Sequence, residues 1–596
     1  MPLLSRQDLE FCLYEMLDTE SLLQSPRYSD HNRETFSQTL DTAEQVAEKY
    51  FAPHNQLADA KEPWFDGEKV HTIPEVKEAF HHFVNAGLLT ARLDFEDGGM
   101  QLPHVVAAAC TGYVTAANPS SSAYPFLTLA ASNLIQHFAS EELKNTYLPL
   151  LRSGQAAGTM ALTEPDTGSS LADIKTTATP TDQGHYLVKG NKMFISGGDQ
   201  DITDNIVHLV LAKIKGAPTG VKGISLFLVP KWQVDDQGRP GQRNDVQLAG
   251  LLHKMGYRGT TSTVLNFGER DQCAGYLIGE PHQGLKYMFM MMNEARVGVG
   301  LGAAVIGYRG YVESLNYARE RPQGRHPSNK DPASPPIAII EHADVKRMLL
   351  AQKAYSEAAI ALCLYANHLL DRIDICNDPE QRKPLQELLD LLTPIVKSWP
   401  SEFGPKANAL AIQILGGAGY IREYPVEQFY RDNRLNPIHE GTHGIQAMDL
   451  LGRKLWQSGG LGLQTLLGEI NDTLQQAAEF AELSEYCEQL QAALQLMQTT
   501  IENLGSQLQN AGPDIGLANA SAFLSLAGHV VVAWLWLWQA SAAMKGLQTD
   551  SNAAFYQGKL HACRFFFRWE LPKIQHWSTL LQSADDTCRT MQNEFF

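Results

Sequence analysis

Hydrophobic positions along this chain change their period twice. Up to about residue 38, Leu9, Leu13, Met16 and Leu17 recur at helical spacing, which predicts an acidic amphipathic helix followed by a loop. From 39 to 156 the helical period continues. Thr42 to Tyr50 places Ala43, Val46, Ala47 and Tyr50 on one face, and Pro74 opens another helix where no backbone N–H is needed. Gly98-Gly99 interrupts the pattern, and VVAAACTGYVTAANP and FLTLAASNLIQHFAS follow as apolar, small-residue helices. At 157 the period shortens to two. TMALTEP, HYLVKGNKMFIS, NIVHLVLAKI, KGISLFLVP and STVLNFG read as strands bounded by Gly, Asp and Pro turns. Helices resume near 281, and 341–373 reads as one long amphipathic helix. Residues 456–596 read as three or four more. Helices, then strands, then helices predict an α+β fold. The segments are 1–38, 39–156, 157–280, 281–455 and 456–596.

The 596 residues are enough for roughly three to five domains. With 44% hydrophobic and 19% charged residues, a packed globular interior is expected. A formal charge of -18 excludes a general nucleic-acid binder, which needs a basic face. The cysteines Cys12, Cys110, Cys273, Cys363, Cys376, Cys487, Cys563 and Cys588 are scattered, none in CxxC. Reduced thiols in a cytoplasm are the plain expectation. His81, His82 and His137 lack metal-ligand spacing, so no metal is expected. The opening MPLLSRQDLEFCLYEML has no basic run followed by an apolar core, and no signal peptide is read there. The run around Ala527–Trp538 approaches membrane-spanning length, but Ser525, His529 and Gln539 interrupt or bound it. A helix buried in a bundle is the preferred expectation. Interfacial membrane contact through Trp534, Trp536 and Trp538, peripheral to an inner membrane, is the other.

Candidate chemistry concentrates in Gln413–Gln446, QILGGAGYIREYPVEQFYRDNRLNPIHEGTHGIQ. Gly416, Gly417 and Gly419 would let backbone approach a flat or phosphorylated ligand closely. Glu440, with Ile438 before it and Gly441 after it, has no Lys or Arg beside it in sequence. Such a carboxyl can have its pKa raised and act as a base near neutral pH. Taken alone, it reads more simply as a solvated glutamate beyond a helix cap.

The whole string closely resembles the C-terminal signature of the acyl-CoA dehydrogenases, flavoenzymes that desaturate acyl-CoA thioesters. The matching residues are Gln413, Gly416-Gly417-Ala418-Gly419, Tyr424-Pro425-Val426-Glu427, Arg431-Asp432 and Glu440-Gly441-Thr442. The resemblance implies that Glu440 is the α-proton base, that Gln413, Gly416, Gly417 and Thr442 touch FAD, and that Gly441 lies against substrate. It extends to MALTEPDTGSSLADI, where Met160 and Thr163 match FAD positions and Ser169 a position for the CoA chain. In KMFISGG, Phe194 and Ser196 match residues beside the flavin ring, although alone Phe194 reads as sheet core. In MMNEARVGVG, Asn293 and Arg296 match positions flanking acyl-CoA. Some relatives carry the base immediately before that arginine; Ala295 here cannot take a proton, which favours Glu440. In ARERPQGR, Arg321 and Gln323 match an element that reaches the FAD pyrophosphate, often the neighbouring subunit's. Gly324 follows Gln323 directly, a departure from the family.

The resemblance covers about 40 to 455. The rest is similar to an extra C-terminal helical domain of some larger bacterial members. The architecture it implies is an N-terminal helical domain, a middle β-barrel-like domain, a C-terminal helical bundle and that extra domain. The implied reaction is α,β-dehydrogenation of acyl-CoA, with FAD as cofactor and electrons passed to an electron-transfer flavoprotein. Thioester-oxygen hydrogen bonds would come from the Glu440 N–H and a ribityl hydroxyl. A homo-oligomer, a dimer first, is expected. Medium or long straight chains are the first expectation for substrate, with Ala123, Ala130 and Ala131 as small residues leaving room for the tail. A short substituted acyl-CoA such as 3-methylthiopropionyl-CoA is second. An acyl-CoA oxidase and a non-catalytic scaffold on the same fold are the remaining alternatives. His439, where relatives have Tyr, reads either as pocket wall or, slightly preferred, as pointing outward.

Overall fold

The computed structural model describes residues 2–235, 237–549 and 552–596. Its contacts divide it into two compact units, Glu34–Leu102 with Cys110–Ala295, and Met1–Arg33 with Pro103–Ala109 and Arg296–Phe596.

The first unit begins with helix α1 (Arg33–Val46), which crosses the expected 38/39 boundary. α2 (Pro74–Asn85) starts on its proline as expected. α3 (His104–Ala117), α4 (Pro119–Phe138) and α5 (Glu141–Arg152) follow. Besides two short two-stranded sheets, Trp64–Phe65 with Val70–His71 and Trp232–Val234 with Pro240–Arg243, the strands are β1 (Ala156–Ala161), β2 (Thr177–Pro180), β3 (Tyr186–Ser196), β4 (Asn205–Ile214), β5 (Ile224–Pro230), β6 (Val246–Leu251), β7 (Ser262–Phe267) and β8 (Ala274–Ile278). They form one eight-stranded sheet in the order β6-β7-β3-β8-β5-β4-β1, and β2 pairs with both β3 and β4. That double pairing closes β3, β8, β5, β4 and β2 into a ring, the expected barrel-like domain. All five strands read from the sequence are present; β2, β6 and β8 were not anticipated.

Period-two alternation separates two cores. Val207, Leu209 and Leu211 join Leu226 and Leu228 beneath α4 and α5, while Val210, Ala212, Phe227 and Val229 fill the ring with Val188 and Leu265. Ala130 and Ala131 belong to the first core. A Cβ at Gly158 on β1 would lie 2.4 Å from the Ala131 Cβ. Ala131 therefore allows close helix–strand packing, Ala130 is buried in the same core and Ala123 is half-buried.

The second unit holds the later half of α6 (Gly284–Glu320), then α7 (Ala343–Ile375), α8 (Pro379–Leu415), α9 (Val426–Asn433) and α10 (His443–Gly452). Beyond them lie α11 (Leu461–Ala477), α12 (Ser484–Asn510), α13 (Ala520–Thr549), α14 (Ala553–Phe565) and α15 (Ile574–Gln582). Five substantial helices thus stand where three or four were expected. α7 is buried on every side from Met348 to Ala366 and is not amphipathic there, because α8, α13 and α14 all pack on it. The first residues form a short α-helix, Arg6–Glu10, that continues as π-helix to Met16, with Leu9, Leu13, Met16 and Leu17 buried as expected.

By length and composition α6 and α13 could cross a membrane, yet 72% and 83% of their most apolar windows are buried inside the protein. On α13 the Trp534 indole donates to Thr473 Oγ1 (2.8 Å) and Trp536 to the Ala354 carbonyl (3.2 Å). Both indoles are fully buried and have partners, so they face protein. All eight cysteines are free thiols.

Candidate active site

α8 ends at Gly416, whose φ of 59 and ψ of -131 suit glycine alone. Gly416 and Gly417 are exposed, with nothing within 4 Å of where a Cβ would stand. Gln413, in the last turn of α8, is exposed as well. The chain then passes through α9, where Arg431 pairs with Glu427 on the preceding turn (2.6 Å), and returns to Glu440.

Glu440 and Gly441 are both left-handed, at φ 54 and 90. A left-handed glutamate persists only where its surroundings hold it. Gln446 Nε2 donates to the Glu440 carbonyl (3.1 Å), and Lys397 Nζ donates to the Gly441 carbonyl (2.7 Å). The Thr442 hydroxyl caps α10 by accepting from the Ile445 N–H (3.4 Å). The turn leaves the Glu440 N–H without a partner among the described residues. Its half-buried carboxylate makes no hydrogen bond or ion pair among the described residues.

Two cations act on that carboxylate from other elements. Arg296, buried on α6, pairs with Asp449 on α10 (3.7 Å). Lys397, fully buried on α8, is the second. Burial raises the Glu440 pKa, and the two cations only partly oppose it. Burial likewise pulls Lys397 down to about 8, against the attraction of Glu440. His439 is half-buried with its Nε2 out of solvent, and burial and then Lys397 lower its pKa to about 3, so it is a neutral ring with that edge turned inward. This corrects the outward orientation preferred from sequence.

In the strand unit, Met160 and Thr163 are half-buried at the end of β1 and just after it. Glu164 is a hub: its carboxylate accepts from Lys192 Nζ (2.9 Å), the Thr176 N–H (3.0 Å) and the Lys175 N–H (2.6 Å). Burial works against its ionisation, but Lys192 and these hydrogen bonds outweigh it and lower its pKa. Lys192 also donates to the Leu162 carbonyl (2.9 Å), so one buried ion pair fixes both sides of Thr163. Phe194 is 61% exposed at φ 61, not sheet core. The register shift opposite Thr263 and Leu265 places an extra residue in β3 there, and the bulge turns the ring outward. Ser196 is exposed two residues on, and Ser169 is exposed in the loop after Thr163.

Four family models match the chain: acyl-CoA dehydrogenase N-terminal domain at 33–155, middle domain at 159–269, C-terminal domain at 282–455, and acetyl-CoA dehydrogenase C-terminal like at 466–592. The chain is 35% identical to 3-methylmercaptopropionyl-CoA dehydrogenase of Ruegeria pomeroyi, over 98% of each chain. It is 32% identical to the broad-specificity linear acyl-CoA dehydrogenase FadE5 of Mycobacterium tuberculosis, over 99% of each. The chain belongs to the acyl-CoA dehydrogenase family. A solved acyl-CoA dehydrogenase from Bacillus anthracis, complexed with FAD, superposes with a TM-score of 0.76 at 20% identity, covering 98% of this chain and 92% of that one.

The family is FAD-dependent, and the residues of this acyl-CoA dehydrogenase fit that cofactor. Gly416 and Gly417 offer open backbone, Gln413 and Thr442 exposed polar groups, and Phe194 an exposed ring. Arg321 and Gln323 follow the end of α6 with exposed side chains. Arg325 instead orders the Pro-rich loop, donating to the Ser334 (2.7 Å) and Pro332 (2.7 Å) carbonyls. Asn293 lies half-buried on α6. The sequence reading missed Lys397, Gln446, Asp449, Lys192 and Glu164 as organisers of these turns. Gln446, Lys192 and Glu164 stand inside the motifs named above. Lys397 was signalled only as a lone charge in the apolar run LLTPIVKSWP.

Proposed function

We propose that this acyl-CoA dehydrogenase forms the trans-2 double bond of an enoyl-CoA from a medium- or long-chain fatty acyl-CoA, with Glu440 as the base. The observation that carries the assignment is the Glu440 turn. It pairs a carboxylate of raised pKa with an N–H, neither of which has a hydrogen-bond partner among the described residues. In this reading Glu440 takes the α-proton while its own N–H donates to the thioester oxygen, where enolate charge develops. A preorganised donor of that kind is worth about 3 kcal/mol. FAD supplies the acceptor for the hydride that leaves Cβ. Lys397 and Gln446 keep the base in place, and burial keeps its proton affinity high enough for the task.

The cofactor contacts we propose are Gln413, Gly416, Gly417, Thr442, Arg321 and Gln323 in the helical unit and Met160, Thr163, Phe194 and Ser196 in the strand unit. Ser169, Asn293, Arg296 and Gly441 are proposed on the acyl-CoA side. The exposed Arg321 and Gln323 fit a partner subunit's cofactor, and a homodimer is the assembly that suits them. An electron-transfer flavoprotein is the proposed acceptor. The likeness to the R. pomeroyi enzyme favours a second reading, in which the substrate is a short sulfur-substituted acyl-CoA.

Anaerobic bleaching of the bound flavin against acyl-CoAs of graded length tests both. Fast bleaching peaking at a medium or long chain supports the first reading, and bleaching confined to the thioether substrate the second. Glu440→Gln is expected to retain FAD and to lose flavin reduction by at least ~10²-fold. Near-parent reduction in that variant would remove Glu440 as the base.

A further inference from the structure

We infer that Lys397 is a positioning residue for Glu440: its ammonium pins the Glu440–Gly441 turn through the Gly441 carbonyl and places a buried positive charge beside the carboxylate. The inference rests on the reading of Glu440 as the base.

A neutral donor would satisfy the Gly441 carbonyl. A lysine there is a costly choice, because it sits fully buried between Val396 and Ser398 on α8 with the like-charged Arg296 acting on it. What lysine adds is charge without contact. Neither Lys397 nor Arg296 comes within ion-pair distance of the Glu440 carboxylate, whose oxygens stay open to a substrate proton. A contacting cation would instead occupy the lone pair that must take that proton. The two cations differ in what restrains them. Arg296 is paired with Asp449, itself bonded by Arg453 (2.7 Å). The Lys397 ammonium makes one hydrogen bond among the described residues, to the turn that carries the base.

The groups facing the carboxylate are therefore Arg296 on α6, Lys397 on α8, and Asp449 and Arg453 on α10 behind Arg296. Asp390 on α8 also acts on Arg296. On the turn itself His439 is neutral through burial. His443 answers to Glu402 and Lys406 of α8 as well as to Lys397, and burial lowers its pKa. Lys397 both touches the turn and acts directly on the carboxylate. Removing its charge leaves the carboxyl with burial opposed by Arg296 alone, so the base should hold its proton to higher pH.

The test uses the full-length, FAD-loaded protein. Lys397→Met removes charge and hydrogen bond, Lys397→Gln keeps a donor without charge, and Lys397→Arg keeps the charge. Two quantities are followed against pH: the rate of anaerobic flavin reduction, and the infrared carbonyl band of protonated Glu440, assigned by its loss in Glu440→Gln. Lys397→Met and Lys397→Gln are expected to move the carboxyl midpoint and the acid limb of the rate up together by about 1 pH unit or more. Lys397→Arg should restore both toward the parent. An unmoved band in Lys397→Met means that the lysine only fills space. A normal midpoint in Lys397→Gln overturns the role of charge, and that variant carries the test if Lys397→Met does not fold. If Glu440→Gln still reduces flavin, the base assignment fails, while the shift of the band still reports on the lysine.

Discussion

Lys397 at neutral pH works against the fold that contains it. Its folded pKa of about 8 lies below the 10.5 of an ordinary lysine, chiefly through burial. Between these values the unfolded chain holds more protons than the folded one, so stability rises with pH from about 8 to 10.5 and carries the whole penalty below 8. A gap of about 2.5 pH units at 1.36 kcal/mol each is about 3 kcal/mol. Against it stands one charge-assisted hydrogen bond to Gly441, worth about 1.5–3 kcal/mol. Glu440 has the opposite sign. Its raised pKa makes the fold most stable while the carboxyl is protonated, and that contribution fades as pH rises above the ordinary carboxyl value. Lys397→Met should therefore unfold in urea within about 1 kcal/mol of the parent at pH 7. It should also lack the parent's gain in stability between pH 8 and 10.5. A loss of 3 kcal/mol or more would make this lysine a net stabiliser.

Among the elements, α8 carries the most. Its 37 residues include Pro384, Pro394, Pro400 and Pro405, a composition that from sequence argues against a continuous helix. Burial against neighbouring helices overrides that local preference, which is why neither the helix nor Lys397 was legible. The α8 terminus, by contrast, was legible through its glycines, and it separates two substitutions. Gly416→Ala forces a Cβ into a backbone that glycine alone accepts and should cost about 1–3 kcal/mol. Gly417 has ordinary φ and open space around it, so Gly417→Ala should leave stability within about 0.5 kcal/mol. If cofactor approaches that open backbone, Gly417→Ala still weakens FAD retention, measured by flavin released on dilution; full retention would detach Gly417 from the cofactor. Residues that meet a ligand were readable because their types repeat in a known string. Phe194 shows the limit, since period two predicts core and only a bulge in β3 turns the ring outward. Glu164 and Lys192 were in view as motif letters, but their pairing across 28 positions needs the folded sheet.

At the scale of the whole chain, the residues beyond 455 belong to the same packed body as the bundle before them. α13 packs on α7, α8 and α10, and α14 packs on α7. Lys559 of α14 makes the tie electrostatic: fully buried, it reaches Asp8 near the start of the chain (2.9 Å) and Glu357 of α7 (2.9 Å). Tyr308 of α6 adds a hydrogen bond to Asp8 (3.0 Å), and Lys353 pairs with Glu357. Burial alone would lower the Lys559 pKa, but the two carboxylates reverse this and raise it. Asp8 is lowered, with Lys559 foremost in overcoming burial. The Asp8 contribution is thus present at neutral pH and lost as pH falls through the acid range, whereas that of Lys559 persists to alkaline pH. Lys559→Met strands the half-buried Asp8 and leaves the buried Glu357 with Lys353 alone, and should cost about 3 kcal/mol. Adding Asp8→Asn should recover part of that loss, since one stranded charge is gone. Urea unfolding followed by circular dichroism and by tryptophan fluorescence discriminates the two architectures. Coincident transitions that shift together in Lys559→Met are expected of one cooperative body. An early transition in tryptophan fluorescence, with the remaining helical signal melting as in the parent, would mean that 456–596 is an appended module.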